Sequence, residues 1–300
     1  MRKVHYYKYD TEEHPFYEKV QEIFSTQLPL ELIHTENTTT EQVTFDTDTS
    51  TDYHKLYYKS DLYNEMIAIY DDFLVKNILP IFGEDIVVQK EPSFRICLPN
   101  NTALGKCATD TDSEIIGMHC DGDYNHPKEE INFMLTITGQ EETNSCYIET
   151  EPKKGDFFPV KLARGDFMSF YGNQCRHYNK VNRTGKTRIS IDFRVIPYSQ
   201  YNETTANASA VHSNRKFCIG DYFKLLKFDE EESEGESPLT EVELQQLKEL
   251  TLQSLHHYKK LLDDSETMAS LKDGDKMALN LCFEETKKEI ELIEEAIGKK

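Results

Sequence analysis

The sequence predicts a mainly β domain with flanking helices, built as a sandwich or barrel and followed by an appended helical hairpin. Three observations carry that expectation. Between residues 84 and 198, short β-rich runs alternate with turn residues and no long helix intervenes, a spacing that belongs to sandwiches and barrels. Ahead of this region, DLYNEMIAIYDDFLVKNIL (61–79) places apolar side chains three and four apart, the period of an amphipathic helix. Behind it, the acidic stretch DEEESEGESP (229–238) sets off a helical tail.

In chain order, residues 1–83 form a mixed lead-in that packs on the β core. A short helix lies near PFYEKVQEIFSTQL, a surface loop or edge hairpin spans the Thr- and Asp-rich residues 36–52, and the helix over 61–79 stops at Pro80. Residues 84–228 are the core, with strands expected at DIVVQK, SFRICLP, INFMLTIT, SCYIET, DFFPVKL, DFMSFYG and TRISIDFRVIP. Residues 229–300 hold the acidic linker and two helices. Thr240 and Glu243 have capping-box spacing at the first, and the second covers roughly 275–297. The apolar stripe of this tail suits core packing, a homodimer or a partner contact. His256 and His257, on a charged helix, read as surface residues.

Bulk composition removes several function classes. The formal net charge is -20, which argues against nucleic acid, because phosphate contacts need a basic surface. Acidity serves solubility first, and it also suits a cationic small molecule. No run approaches the ~20 apolar residues of a membrane span, and the opening MRKVHYYKYDTEEHP lacks the apolar stretch of a signal peptide. Seven cysteines without a C-x-x-C pair read as reduced thiols, which places the protein in the cytoplasm. Sequons such as those at Asn182 and Asn202 then read as chance.

Two segments carry chemistry. In MHCDGDYNHP (118–127), His119 and Asp121 stand two apart, so on a strand they would share a face and present two adjacent metal ligands. A solvated turn explains the same residues. Asp123 and His126 read as supporting or substrate-side groups. The second segment is YGNQCRHYNKVNRTGKTRISIDFRVIP. NRTG (182–185) is a turn signal between two strand-like runs. Taken as a hairpin, it sets His177 opposite Ser190 and Asn179 opposite Arg188. The second run alternates sharply, with Arg188, Ser190, Asp192 and Arg194 on one face and Thr187, Ile189, Ile191, Phe193 and Val195 on the other. Such a strand is either an outer strand in water or a barrel wall with an apolar back and a polar pocket face. His177 on the polar face favours the pocket.

His119, Asp121 and a distant His177 together make a 2-His-1-carboxylate set, which leaves coordination positions open for non-heme Fe(II) chemistry. Arg188 beside that set suits the far carboxylate of a dicarboxylate, with Ser190 adding a hydrogen bond. This is the layout that 2-oxoglutarate requires.

On these residues the chain resembles the Fe(II)/2-oxoglutarate-dependent dioxygenase superfamily. More narrowly, RICLPNN, HCDGDYNHPKEEINFML, NSCYIETEPKKGDF and GNQCRHYNKVNRTGKTRISIDFRVIP resemble the streptomycin-biosynthesis StrG-like family over roughly residues 93–198. The resemblance implies a double-stranded β-helix, the jelly roll related to the cupins. It implies Fe(II) on His119, Asp121 and His177, and 2-oxoglutarate on Arg188 and Ser190 with Asn132 lining the same pocket. O2 would be the second co-substrate, and Arg95, Asn101 and Tyr124 would lie on the side of a small-molecule substrate. The reaction implied is oxidation of a C–H bond with release of succinate and CO2, and the carboxylate at Asp121 points to hydroxylation rather than halogenation. Two rival readings are a cupin-like metalloenzyme of other chemistry and a non-catalytic jelly-roll binding protein with an interaction tail. Neither has a use for Arg188 and Ser190.

Overall fold

A computed structural model describes residues 4–36, 51–101, 116–202 and 215–228, together with single helical positions between 245 and 297. The expected loop over 37–50, the acidic linker, Thr240 and Glu243 lie outside the described residues. The chain forms two units, Met1–Phe228 and Asp229–Lys300.

The first unit begins with β1 (His5–Lys8), α1 (Phe16–Ile23), α2 (Asp52–Lys59) and α3 (Tyr63–Phe73). The helix that begins with α3 does not stop at Pro80. A π-turn (Leu74–Ile78) joins it to α4 (Leu79–Phe82), which carries Pro80 in its first turn and ends at Gly83 with φ +62°. Proline lacks the N–H that a helix interior uses, and here it directly follows the π-turn, where the ladder is already shifted, with Leu79 N–H bonding Leu74 O.

Ten strands follow: β2 (Ile86–Gln89), β3 (Ser93–Cys97), β4 (Ile116–His119), β5 (Ile131–Thr136), β6 (Cys146–Ile148), β7 (Phe158–Pro159), β8 (Asp166–Phe170), β9 (His177–Asn179), β10 (Arg188–Pro197) and β11 (Phe223–Leu226). They form a larger sheet, ordered β1-β8-β5-β10-β2-β11 with β3 also on β10, and a smaller sheet, β4-β9-β6-β7. From β3 to β10 the chain passes repeatedly between the sheets. The resulting orders, β3-β10-β5-β8 in one sheet and β4-β9-β6-β7 in the other, are those of a jelly roll. Strand β10 is 10 residues long and holds two neighbours on one edge. Arg188–Asp192 pairs with β3, and Val195–Pro197 pairs with β2.

The alternation in β10 is resolved in favour of the barrel wall. Ile189, Ile191, Phe193 and Val195 are buried in the core that the larger sheet shares with the helices, beside Phe16, Tyr57, Tyr70 and Phe73. Phe193 is 0% exposed, stacks on Phe133 at 5.4 Å and meets Tyr70 edge-on at 5.3 Å. Burial of such a ring is worth roughly 2–3 kcal/mol. Between the sheets lies a smaller cluster of Met134, Met168, Phe170, Cys146, Ile148, Val160 and Leu162.

The hairpin register read from the sequence is not the one the fold uses. Strand β9 pairs with β4 and β6, and β10 pairs with β5, β3 and β2. The two lie in opposite sheets, so His177 and Ser190 are not rung partners. The NRTG segment is a crossover between sheets. Buried Asn182 donates Nδ2 to Cys97 O at 3.1 Å and Lys186 O at 2.7 Å, and its backbone N–H bonds Asn101 O at 2.9 Å. A loop pinned this way to the end of β3 carries the chain across instead of folding it back.

Among the described residues of Asp229–Lys300, the assigned positions are helical, and Lys248 Nζ pairs with Glu294 Oε1 at 2.7 Å. Among the described residues no helix is long and apolar enough to cross a membrane.

Candidate metal centre

Strand β4 ends at His119, which lies opposite His177 at the start of β9. Their rings are 4.4 Å apart. Asp121 is not on the strand. It opens a 3-10 turn, Asp121–Tyr124, so the shared-face geometry expected of His119 and Asp121 is replaced by a turn that swings the carboxylate under both rings. The turn is seated by Asp121 N–H on Gly172 O at 2.9 Å and Gly122 N–H on Asn173 O at 3.1 Å. A side chain at Gly122 would bring a Cβ within 2.8 Å of Asn173 O, so only glycine allows this approach.

One ligand atom from each of His119, Asp121 and His177 lies within 4.8 Å of the other two. Both imidazoles are oriented from behind. His119 Nδ1 is 2.6 Å from Gly117 O, and His177 Nδ1 is 3.1 Å from Cys175 O. A carbonyl only accepts, so Nδ1 carries the proton and Nε2 presents a lone pair forward. The two Nε2 atoms face Asp121 Oδ1 at 3.7 Å and 3.4 Å. Two imidazole nitrogens and a carboxylate oxygen converge, a donor set that fits a divalent cation.

Electrostatics favour the metal-competent forms of His119 and Asp121. Burial, helped by neighbouring His177, pushes His119 down to about 4. Burial on its own would raise the Asp121 carboxyl, but the Arg194 guanidinium and His177 overcome it and hold the group well below the usual carboxylate range.

The pocket between the sheets is lined by His119, His177, Asn179, Arg95, Asn132, Arg188, Ser190, Asp192 and Arg194, with apolar walls from Met134, Cys146 and Phe170. Of the sequence-predicted residues, His119, His177, Arg188, Ser190, Asn132 and Arg95 line it, Asp121 stands against the two histidines at its edge, and two others stay out. Asn101 is absent from the lining, and its backbone carbonyl instead accepts from Asn182 N–H. Tyr124 stands edge-on to the His119 ring at 5.1 Å. Asn132 reaches the pocket but donates Nδ2 to Asp121 Oδ2 at 2.6 Å, so it braces that carboxylate. Arg95 Nε bonds Asp192 Oδ1 at 2.8 Å.

Arg188 differs from the other pocket arginines. Its side chain is 2% exposed, its Nη1 lies 3.5 Å from the neutral Gln140 Oε1, and its Nε has no hydrogen-bond partner. Among the described residues no carboxylate pairs with it.

Sequence reasoning gave no role to Asp192, Arg194 or Glu130. Alternation had placed the first two on the pocket face, but only the folded sheet sets Arg194 beside Asp121, with Nη2 at 2.9 Å and Nε at 3.1 Å from Oδ2. Glu130, 0% exposed, binds His126 Nδ1 at 2.7 Å. Its signal was the four-residue step from His126. Asp123 caps the turn through Cys120 N–H at 2.9 Å.

No family model matches the sequence. The streptomycin biosynthesis protein StrG of Streptomyces griseus is 27% identical over 216 residues, which cover 72% of this chain and 95% of that protein. Solved structures with some likeness include a non-heme monooxygenase, the ThoJ–Ni complex (11% identical, 71% of this chain and 80% of that one, TM-score 0.36). Others are the α-ketoglutarate-dependent epimerase SnoN from nogalamycin biosynthesis (11%, 75% and 94%, TM-score 0.40) and CytC3 with Fe(II) and α-ketoglutarate (14%, 65% and 74%, TM-score 0.34). Likenesses this slight carry no weight beside the strand order described above. The chain is similar to StrG over nearly the whole of that protein, and the resemblance to the StrG-like family seen in its motifs extends well beyond them.

Proposed function

We propose that the protein is an Fe(II)- and 2-oxoglutarate-dependent oxygenase that oxidises a C–H bond of a small polar substrate, with release of succinate and CO2. The observation that carries this reading is Arg188, a buried guanidinium without an acidic partner among the described residues, in the same pocket as three converging metal ligands. An uncompensated buried cation is costly unless an anion joins it. A dicarboxylate that reaches the metal at one end would bring its second carboxylate to Arg188, where Ser190 on the same face adds a donor. His119, Asp121 and His177 would hold Fe(II), and their Nδ1 and Oδ2 partners keep the three ligands oriented. Bound Fe(II), O2 and 2-oxoglutarate supply the oxidising chemistry. The chain's part is to hold its ligands deprotonated, anchor the co-substrate and keep the apolar walls of Met134, Cys146 and Phe170 around the reacting space.

Likeness to a protein of streptomycin biosynthesis and the net charge of -20 support a small, polar, cationic substrate. The cysteines Cys97, Cys120, Cys146, Cys175 and Cys218 are free, which supports a reducing, cytoplasmic setting. The pairing of Lys248 with Glu294 supports a helical hairpin in the tail, suited to a partner or a second copy.

The test is anaerobic addition of Fe(II) and 2-oxoglutarate, reading the weak visible metal-to-ligand charge-transfer band. The band is expected in the wild type and absent in His177→Ala and Arg188→Ala. A folded, iron-loaded wild type without the band would overturn the 2-oxoglutarate assignment.

A further inference from the structure

The two oxygens of Asp121 meet different partners. Oδ2 accepts three hydrogen bonds, from Asn132 Nδ2 at 2.6 Å, Arg194 Nη2 at 2.9 Å and Arg194 Nε at 3.1 Å. Oδ1 faces His177 Nε2 and His119 Nε2. A carboxylate oxygen has about two lone-pair sites, so three donors leave Oδ2 nothing to offer an ion. Arg194 is not free to swing away. Arg194 Nη1 is tied to Asp192 Oδ2 at 2.5 Å, and the other Asp192 oxygen holds Arg95 Nε. Asn132 sits directly opposite Arg194 on the β5–β10 ladder, so both donors rise from one rung of the sheet.

We propose that Arg194, together with Asn132, is a positioning pair that confines Asp121 to one-oxygen ligation. The inference rests on the metal reading given under Proposed function. A free carboxylate binds a metal through one oxygen or two. A metal held by two histidines and a one-oxygen carboxylate would keep positions open for other ligands. Two-oxygen ligation would close one of them.

The test titrates Co(II), free of oxygen, into metal-free wild type, Asn132→Ala, Arg194→Gln and Arg194→Lys, reading affinity and the visible Co(II) spectrum before and after 2-oxoglutarate. Loss of partners behind a ligand typically weakens a metal about 10- to 100-fold. Asn132→Ala is expected near the low end and Arg194→Gln near the high end, both with an altered spectrum and a smaller response to 2-oxoglutarate. Arg194→Lys is not expected to rescue, because a point charge lacks the guanidinium fork. Wild-type affinity and spectrum in a folded Arg194→Gln or Asn132→Ala, or full rescue by lysine, would overturn the inference. If Arg194→Gln does not fold, Asn132→Ala decides. A wild type that takes up no Co(II) overturns the metal reading and this inference together. A wild type that binds Co(II) but ignores 2-oxoglutarate sinks only the co-substrate, and the affinity arm still judges the pair.

Discussion

Arg188 makes function and stability pull in opposite directions. A buried cation without an acidic partner among the described residues costs stability, so Arg188→Met should hold or raise the stability of the metal-free protein, by about 1–3 kcal/mol. The same change should weaken 2-oxoglutarate binding about 100-fold or more, the scale of losing one side of a desolvated charge pair. Urea midpoints and co-substrate titrations on the same variant check both halves. His54 is also legible at this scale. It is 2% exposed, and burial, with the Arg95 cation adding, pushes it down to about 4. An unfolded histidine titrates near 6.5. Between these values the unfolded chain binds a proton that the folded chain refuses, so stability is complete above about pH 6.5 and is lost as pH falls toward 4. The expected loss from His54 is about 3 kcal/mol. Urea unfolding at several pH values should show a shallower acid slope in His54→Gln, and an unchanged slope would contradict the assignment.

At the scale of elements, the site depends on how closely strands and turns approach. Gly172 lies just past β8, where an added Cβ would come within 2.6 Å of the Asn132 amide. Gly172→Ala should therefore push Asn132 off Asp121, destabilising the fold by about 1–3 kcal/mol and weakening metal binding about tenfold. Metal titration beside urea unfolding separates the two effects. The crossover between β9 and β10 is a second such element. Buried Asn182 donates to two carbonyls, and its Oδ1 accepts from Thr184 N–H at 3.0 Å and Thr184 Oγ1 at 2.8 Å. Asn182→Ala strands the buried Cys97 carbonyl, so a loss of about 1–3 kcal/mol by urea unfolding is expected. The sequence marked NRTG correctly as a turn. Turn chemistry is local, whereas the choice between folding back and crossing over depends on which strands wait on either side.

At the scale of the molecule, the larger sheet is buried on both faces, by helices on one and by the smaller sheet on the other. This explains why β10 alternates so sharply. One face must be apolar to pack on α3, and the other can be polar only because it looks into a pocket instead of water. The shared pocket of His177, Arg188 and Ser190 was expected from a hairpin and is found without one. His177 and Ser190 converge because their sheets face each other.

Composition, alternation and spacing were sufficient for the β core and for the polar face of β10, since each follows from side-chain chemistry and local period, and they singled out His119, Asp121 and His177 as candidates, which the fold brings together. Tertiary structure alone decided the rest: that Asp121 sits on a turn and not a strand, that Pro80 rides inside a helix, that Asn132 and Arg194 meet on one carboxylate oxygen, and that Asn101 stays out of the pocket. These are relations between residues far apart in the chain, and a one-residue change of strand partner or turn geometry rearranges them while leaving every local pattern intact.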